Sequence, residues 1–151
     1  MGYKKLVQNF RDAIDEAKAN GEFNDDISFH KFPCGCCGDA SDLLAEFLLK
    51  NGIETYYVCG TYRDGSFDEM QSHAWLKTED GMIIDITGDQ FRYDPNFMNY
   101  SNTVYIGEID AFHRLFEVEK RDVKKNYGLK PSENRCQQRL YELYNTIMKH
   151  I

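Results

Sequence analysis

A chain of 151 residues with 42% hydrophobic and 14% aromatic residues is long enough to bury a core, and it reads as a single globular domain over residues 1–151. Its 25 acidic against 18 basic residues leave a net charge of −7, which disfavours nonspecific binding to nucleic acid or to an anionic membrane. No stretch is long and apolar enough to cross a bilayer, and Met1 to Lys5 leads into a charged amphipathic pattern instead of an apolar signal core. The expectation is a cytoplasmic protein with neither membrane nor nucleic-acid partners; a non-classical, receptor-read secretion signal lies outside this test.

Residues 3–19 place Tyr3, Val7, Phe10, Ile14 and Ala17 on one face, with Gly21 as a stop, and predict a first helix. Residues 22–35 are polar and then turn-rich. From 37 to 50 the apolar positions Ala40, Leu43, Leu44, Phe47 and Leu48 predict a second helix, ending at Asn51-Gly52. Strand patterns follow at Glu54 to Cys59, Gln71 to Thr78 and Met82 to Thr87. Residues 88–102 read as a loop carrying Phe91, Tyr93, Phe97 and Tyr100. Two further strands are expected from Thr103 to Ile106 and from Phe112 to Glu119. After a charged turn containing Gly128 and Pro131, residues 132–149 predict a last helix whose face is Cys136, Leu140, Leu143, Tyr144, Ile147 and Met148. Helices flanking a central run of strands predict an α+β domain.

The five cysteines are Cys34, Cys36, Cys37, Cys59 and Cys136. An odd count with three crowded into four positions argues against a secreted disulfide framework. A zinc cluster of Cys34, Cys36, Cys37 and His30 is an alternative, weakened by the lack of a second Cys-x-x-Cys pair. The stronger signal is an order of parts: Gly35-Cys36-Cys37-Gly38-Asp39 opens a helix, and Ser72-His73-Ala74-Trp75 and Ile84-Asp85-Ile86-Thr87 lie on two strands of one hairpin. A helix start and a histidine both favour a thiolate nucleophile, and a carboxylate behind the histidine fixes its tautomer and supports its charge. Asp39 and Asp42 near the helix start work against a thiolate. Periodicity does not choose between Cys36 and Cys37.

The run Gly-x-Cys-x-Asp, an apolar helix, Gly52-Ile53, a strand, His73-Ala74-Trp75 and Asp85-x-Thr87 resembles the transglutaminase-like branch of the papain-like cysteine enzymes. The resemblance covers about residues 35–90 and implies Cys37 as nucleophile, His73 as base and Asp85 as its support. It also implies a papain-like core with the nucleophile helix packed on an antiparallel sheet, between N- and C-terminal helices. The stretch Asp85 to Phe91 is similar, less closely, to small papain-like deamidase and toxin-type domains.

The hairpin tests the assignment physically, because a one-residue slip turns every side chain to the other face. A two-residue Asp80-Gly81 turn would put His73 and Asp85 on opposite faces. A three-residue Glu79-Asp80-Gly81 loop pairs Thr78 with Met82 and sets Asp85 opposite Trp75, diagonal to His73. Gly81 stands where such loops want glycine.

Of the remaining candidates, His30 reads as an exposed loop residue, His113 as a structural residue of a strand and a reserve for the base, and His150 as surface. Trp75 and the aromatics of 91–100 are candidates for walls of a cleft. The backbone N–H of Cys37 is a better oxyanion donor than Gln71. The expected function is a cysteine-dependent hydrolase or acyltransferase acting on an amide of a peptide or protein, a glutamine side chain included, through an acyl-enzyme. No metal or organic cofactor is implied. The alternatives are a catalytically silent peptide-binding module on the same fold and a zinc-stabilised interaction protein.

Overall fold

The computed structural model describes residues 2–63 and 70–151, and in them three α-helices lie on an antiparallel five-stranded sheet. Helix α1 (Tyr3–Ala19) buries Val7, Phe10, Ile14 and Ala17 at the spacing of one helical face. Helix α2 (Cys37–Lys50) buries Ala40, Leu43, Leu44, Phe47 and Leu48 in the same way. It closes at Asn51, with the N–H of Gly52 donating to Leu49 O and that of Ile53 to Leu48 O, the paired bonds of a left-handed glycine cap. Helix α3 (Arg135–Met148) starts at Asn134, whose side chain accepts from the Gln137 N–H, three residues inside the stretch expected to be helical.

The strands are β1 (Thr55–Arg63), β2 (Met70–Thr78), β3 (Ile83–Asp85), β4 (Tyr105–Gly107) and β5 (Val123–Lys125), ordered β4-β3-β2-β1-β5. Two sequence expectations are corrected. The run Phe112 to Glu119 is not a strand: His113–Leu115 is a 3₁₀ turn, and this run meets the sheet through a single bridge from Glu117 to Thr61. Phe112 and Phe116 flank that turn, and both pack into the aromatic cluster. The charged stretch at 120–125, read as a turn, supplies edge strand β5. Its lysines suit an edge that faces water.

Strand alternation divides the apolar residues between two cores. Leu76 and Ile84 face α2, which lies against β1 and β2, while α1 and α3 pack on α2 and on each other. Val58, Trp75 and Ile83 face the other way, into a cluster with Phe91, Phe97, Phe112 and Phe116. The 88–116 segment thus covers the sheet face that the helices leave bare. Gly60 permits the close approach: a Cβ there would stand 2.6 Å from the Phe116 Cβ and 3.2 Å from the Trp75 ring.

Hairpin β2–β3 pairs Leu76 with Ile84 and Lys77 with Ile83, the register of the three-residue loop. The Thr78 N–H donates to Met82 O at 2.9 Å, and Gly81 sits at φ +89°. His73 and Asp85 therefore share the face turned away from α2.

The segment after β3 is tied to α1 by Arg11, which is buried although it is charged. Its guanidinium meets both oxygens of buried Asp89, at 2.8 and 3.0 Å, and donates to the carbonyls of Ile86 and Thr103. A bidentate pair with carbonyl acceptors satisfies a buried arginine, whereas removing one partner strands the other charge. Arg11→Met should therefore cost about 3–5 kcal/mol in unfolding free energy by denaturant titration. Lys4→Met, at an exposed position of the same helix, should stay within about 0.5 kcal/mol of the parent.

Candidate active site

Cys37 is the first residue of α2, with Cys36 as its N-cap, so its backbone N–H belongs to the unpaired first turn of the helix. The sulfur is placed by the end of the sheet ladder. The Thr78 N–H points at β3, and a period of two turns the N–H groups of Leu76 and Ala74 the same way. Strand β3 stops at Asp85, opposite Trp75, so Ala74 has no strand partner there. Its N–H donates to the Cys37 sulfur instead. The same sulfur is hydrogen-bonded to His73.

His73 Nε2 lies 2.7 Å from Asp85 Oδ2, which leaves Nδ1 for the sulfur. The three residues singled out in the sequence as nucleophile, base and support are thus brought together, on α2, β2 and β3. The ring is fully buried among Phe91, Phe112, Phe116 and Trp75, with centroids 5.2–5.7 Å away. Trp75 and Phe91 therefore wall the histidine. In so apolar a cage the ring's orientation is set by its polar partners.

The charges are mutually dependent. Burial pushes the Cys37 thiol up, but the hydrogen bond and charge of His73 and the N–H of Ala74 outweigh it, and the thiol lies below its ordinary value. Burial pulls His73 down; the charge and hydrogen bond of Asp85, with a smaller contribution from Cys37, raise it to about 9. Burial alone would raise Asp85, yet the charge of His73 and the bonds from His113 and His73 hold it well below the usual carboxylate range. The thiolate of Cys37 and the imidazolium of His73 therefore stabilise each other, and both depend on Asp85.

Asp39, which would oppose that thiolate, is engaged elsewhere. Arg139 of α3 donates to Asp39 at 3.0 Å and clasps Asp26 with bonds of 2.8 and 3.0 Å. The other cysteines divide by environment. Cys36 is buried in the helical core, and burial together with the nearby Cys37 and Asp39 pushes its thiol up to about 12. Cys34 is exposed, as is His30, whose Nδ1 lies 2.7 Å from Asp26 O. These residues do not converge as zinc ligands would. Gln71 is exposed on β2.

One contributor escaped the sequence reading and another was assigned to the wrong element. Gln90, half-buried, puts its side-chain amide 3.3 Å from His73 Nδ1 and 3.2 Å from Thr87 O. His113 was read as a reserve base on a strand. It is instead fully buried in the 3₁₀ turn, its Nε2 2.7 Å from the same Asp85 Oδ2. The spacing Asp110-x-x-His113 carried a local signal, since Asp110 accepts from the His113 N–H at 2.8 Å as a cap residue does.

His73, Asp85 and His113 also form the one group among the described residues with donor atoms close enough to surround a cation, all within 4.8 Å. Both Nε2–Oδ2 separations are 2.7 Å. Ligands of a tetrahedral zinc at about 2.0–2.1 Å stand about 3.3 Å apart. The spacing is that of shared protons, and the cluster fits hydrogen bonding better than a metal.

Beside the helix start, Tyr57 reaches over Gly38, where a Cβ would come within 3.0 Å of its hydroxyl. Tyr57 and Asp42 begin a surface groove of about 390 Å³ that continues past Lys124, Tyr127, Lys130 and Gln137. No model of a protein family, no curated protein and no solved structure matches the chain.

Burial and the charge of Asp39 raise Asp42 from 3.8 to about 6. An acid raised in the folded state binds its proton more tightly there, so ionising it costs stability as pH rises above the unfolded value. Asp42→Asn should accordingly leave the melting temperature unchanged below pH 3.8 and raise it progressively between 3.8 and about 6, with the full gain above that. Thermal melts across pH check this.

Proposed function

We propose that the protein is a cysteine-dependent hydrolase or acyltransferase that acts on amides through an acyl-enzyme, on a transglutaminase-like, papain-like core. The observation that carries the reading is a thiol at a helix start bonded to a buried histidine whose other nitrogen is held by a buried carboxylate. This is the arrangement a sulfur nucleophile needs, and its parts come from three separate elements.

In this reading the Cys37 thiolate attacks the carbonyl carbon, and the carbonyl electrons move onto oxygen. The backbone N–H of Cys37, unpaired at the helix start, donates to that oxyanion. His73 gives its Nδ1 proton to the leaving amine as the C–N bond breaks, and a thioester to Cys37 remains. Water or an amine then loses a proton to His73 and attacks the thioester, and the thiolate leaves. Asp85 supports the imidazolium throughout. Hydrolysis of a peptide bond, deamidation of glutamine and transfer to an amine share the first half of this sequence and differ in the acceptor. Five free cysteines suit a reducing compartment such as the cytoplasm.

Cys37 should be alkylated by iodoacetamide well below pH ~8.5, where an ordinary thiol slows. His73→Ala should abolish that low-pH labelling with the fold retained. Cys37→Ala should remove hydrolysis of, or amine incorporation into, glutamine-containing peptides without lowering the melting temperature. Labelling of Cys34 or Cys36 in place of Cys37, or activity that survives Cys37→Ala, would overturn the reading.

A further inference from the structure

The Asp85 carboxylate serves two histidines. Its Oδ1 accepts from the Thr87 N–H at 2.9 Å, while Oδ2 stands 2.7 Å from His73 Nε2 and 2.7 Å from His113 Nε2. The far nitrogen of His113, Nδ1, lies 2.6 Å from Asp110 Oδ1, and Asp110 Oδ2 accepts from the Tyr100 hydroxyl at 3.1 Å. Both ring nitrogens of His113 thus lie within hydrogen-bond distance of carboxylate oxygens. The ring is fully buried, edge-on to Trp75 at 4.8 Å and tilted against Tyr105 at 5.5 Å. A histidine that merely filled space here would need neither carboxylate.

We propose that His113, anchored by Asp110, is a positioning residue that shares the Asp85 carboxylate with His73 and so sets how strongly Asp85 holds the imidazolium of His73. The proposal rests on the thiol-nucleophile reading above and adds a fourth and fifth residue to its support. Two donors on one oxygen divide its charge between them, so removing His113 concentrates that charge on His73. Among the described residues, the titratable groups around this pair are Cys37 from α2, Asp85 at the end of β3, Tyr105 on β4, and Tyr100, Asp110 and His113 from the covering segment. Of these, Cys37 and Asp85 touch His73 directly, and the others act through Asp85 or His113.

The rate of iodoacetamide alkylation of Cys37, read by peptide mapping from about pH 4 to about pH 10, resolves two steps. The first marks formation of the thiolate–imidazolium pair and the second marks loss of the His73 proton. His113→Leu should move the second step upward by about half a pH unit or more. His113→Gln, which keeps a donor near the Nε2 position, should stay close to the parent. Asp110→Asn should move the second step in the same direction as leucine but less far, because the anchored ring becomes a weaker donor. Melts report folding in each case. If His113→Leu does not fold, the other two variants decide: Asp110→Asn above the parent with His113→Gln at the parent supports the proposal. A second step unmoved in Asp110→Asn, or moved as far by glutamine as by leucine, overturns it. Failure of the nucleophile reading itself shows separately, as absence of low-pH labelling in the unaltered protein.

Discussion

A carboxylate buried in an aromatic cluster is tolerated only when its oxygens are fully engaged, and Asp85 meets that demand by drawing three parts of the chain together. Thr87 N–H comes from the turn just after β3, His73 from β2, and His113 from the segment that crosses the sheet face. Each donor fixes a different relationship: the local turn, the hairpin register, and the docking of residues 88–116 on the sheet. A slip in the hairpin would leave an ionised acid facing apolar rings. The polar centre and the aromatic core around it therefore specify each other, and each is poorly determined alone.

Much of this was legible in the sequence where the signal is periodic or stereochemical. The three helices follow from apolar residues at three- and four-residue spacing, and the β2–β3 register is one of the two that a left-handed Gly81 allows. What periodicity could not carry is what depends on distant partners. Phe112 and Phe116 look like a strand pattern but flank a 3₁₀ turn, because they are anchored in the cluster with Trp75, Phe91 and Phe97. Strand β5 looks like a charged turn because an edge strand with lysines lacks an alternating apolar face. Gln90 shows no pattern at all, and only the folded chain puts it against His73; Asp110 shows only its local spacing to His113.

The three clustered cysteines show how position along a few residues separates chemistry from packing. A step from Cys36 to Cys37 rotates the side chain from the helical core to the open end of β2. The first location penalises a thiolate by desolvation, and the second supplies an imidazolium and an amide N–H that stabilise one. Asp39, which favours the helix through its dipole, is drawn away from the sulfur by the reach of Arg139 from α3. The C-terminal helix thus contributes to the electrostatics of a site from which it is absent.

The Arg11–Asp89 pair links residues 78 positions apart. During synthesis α1 emerges long before its counter-charge does, and it must wait through α2, β1 and the β2–β3 hairpin. Closing so long a loop is entropically slow, and the reward comes only after both ends are present. The apolar face of the first helix meets α2, which is made soon after it, but its arginine is satisfied only once Asp89 is in place. A nascent chain halted before Asp89 holds a cation that its eventual burial site cannot yet accept, so burial of Arg11 waits on the middle of the chain.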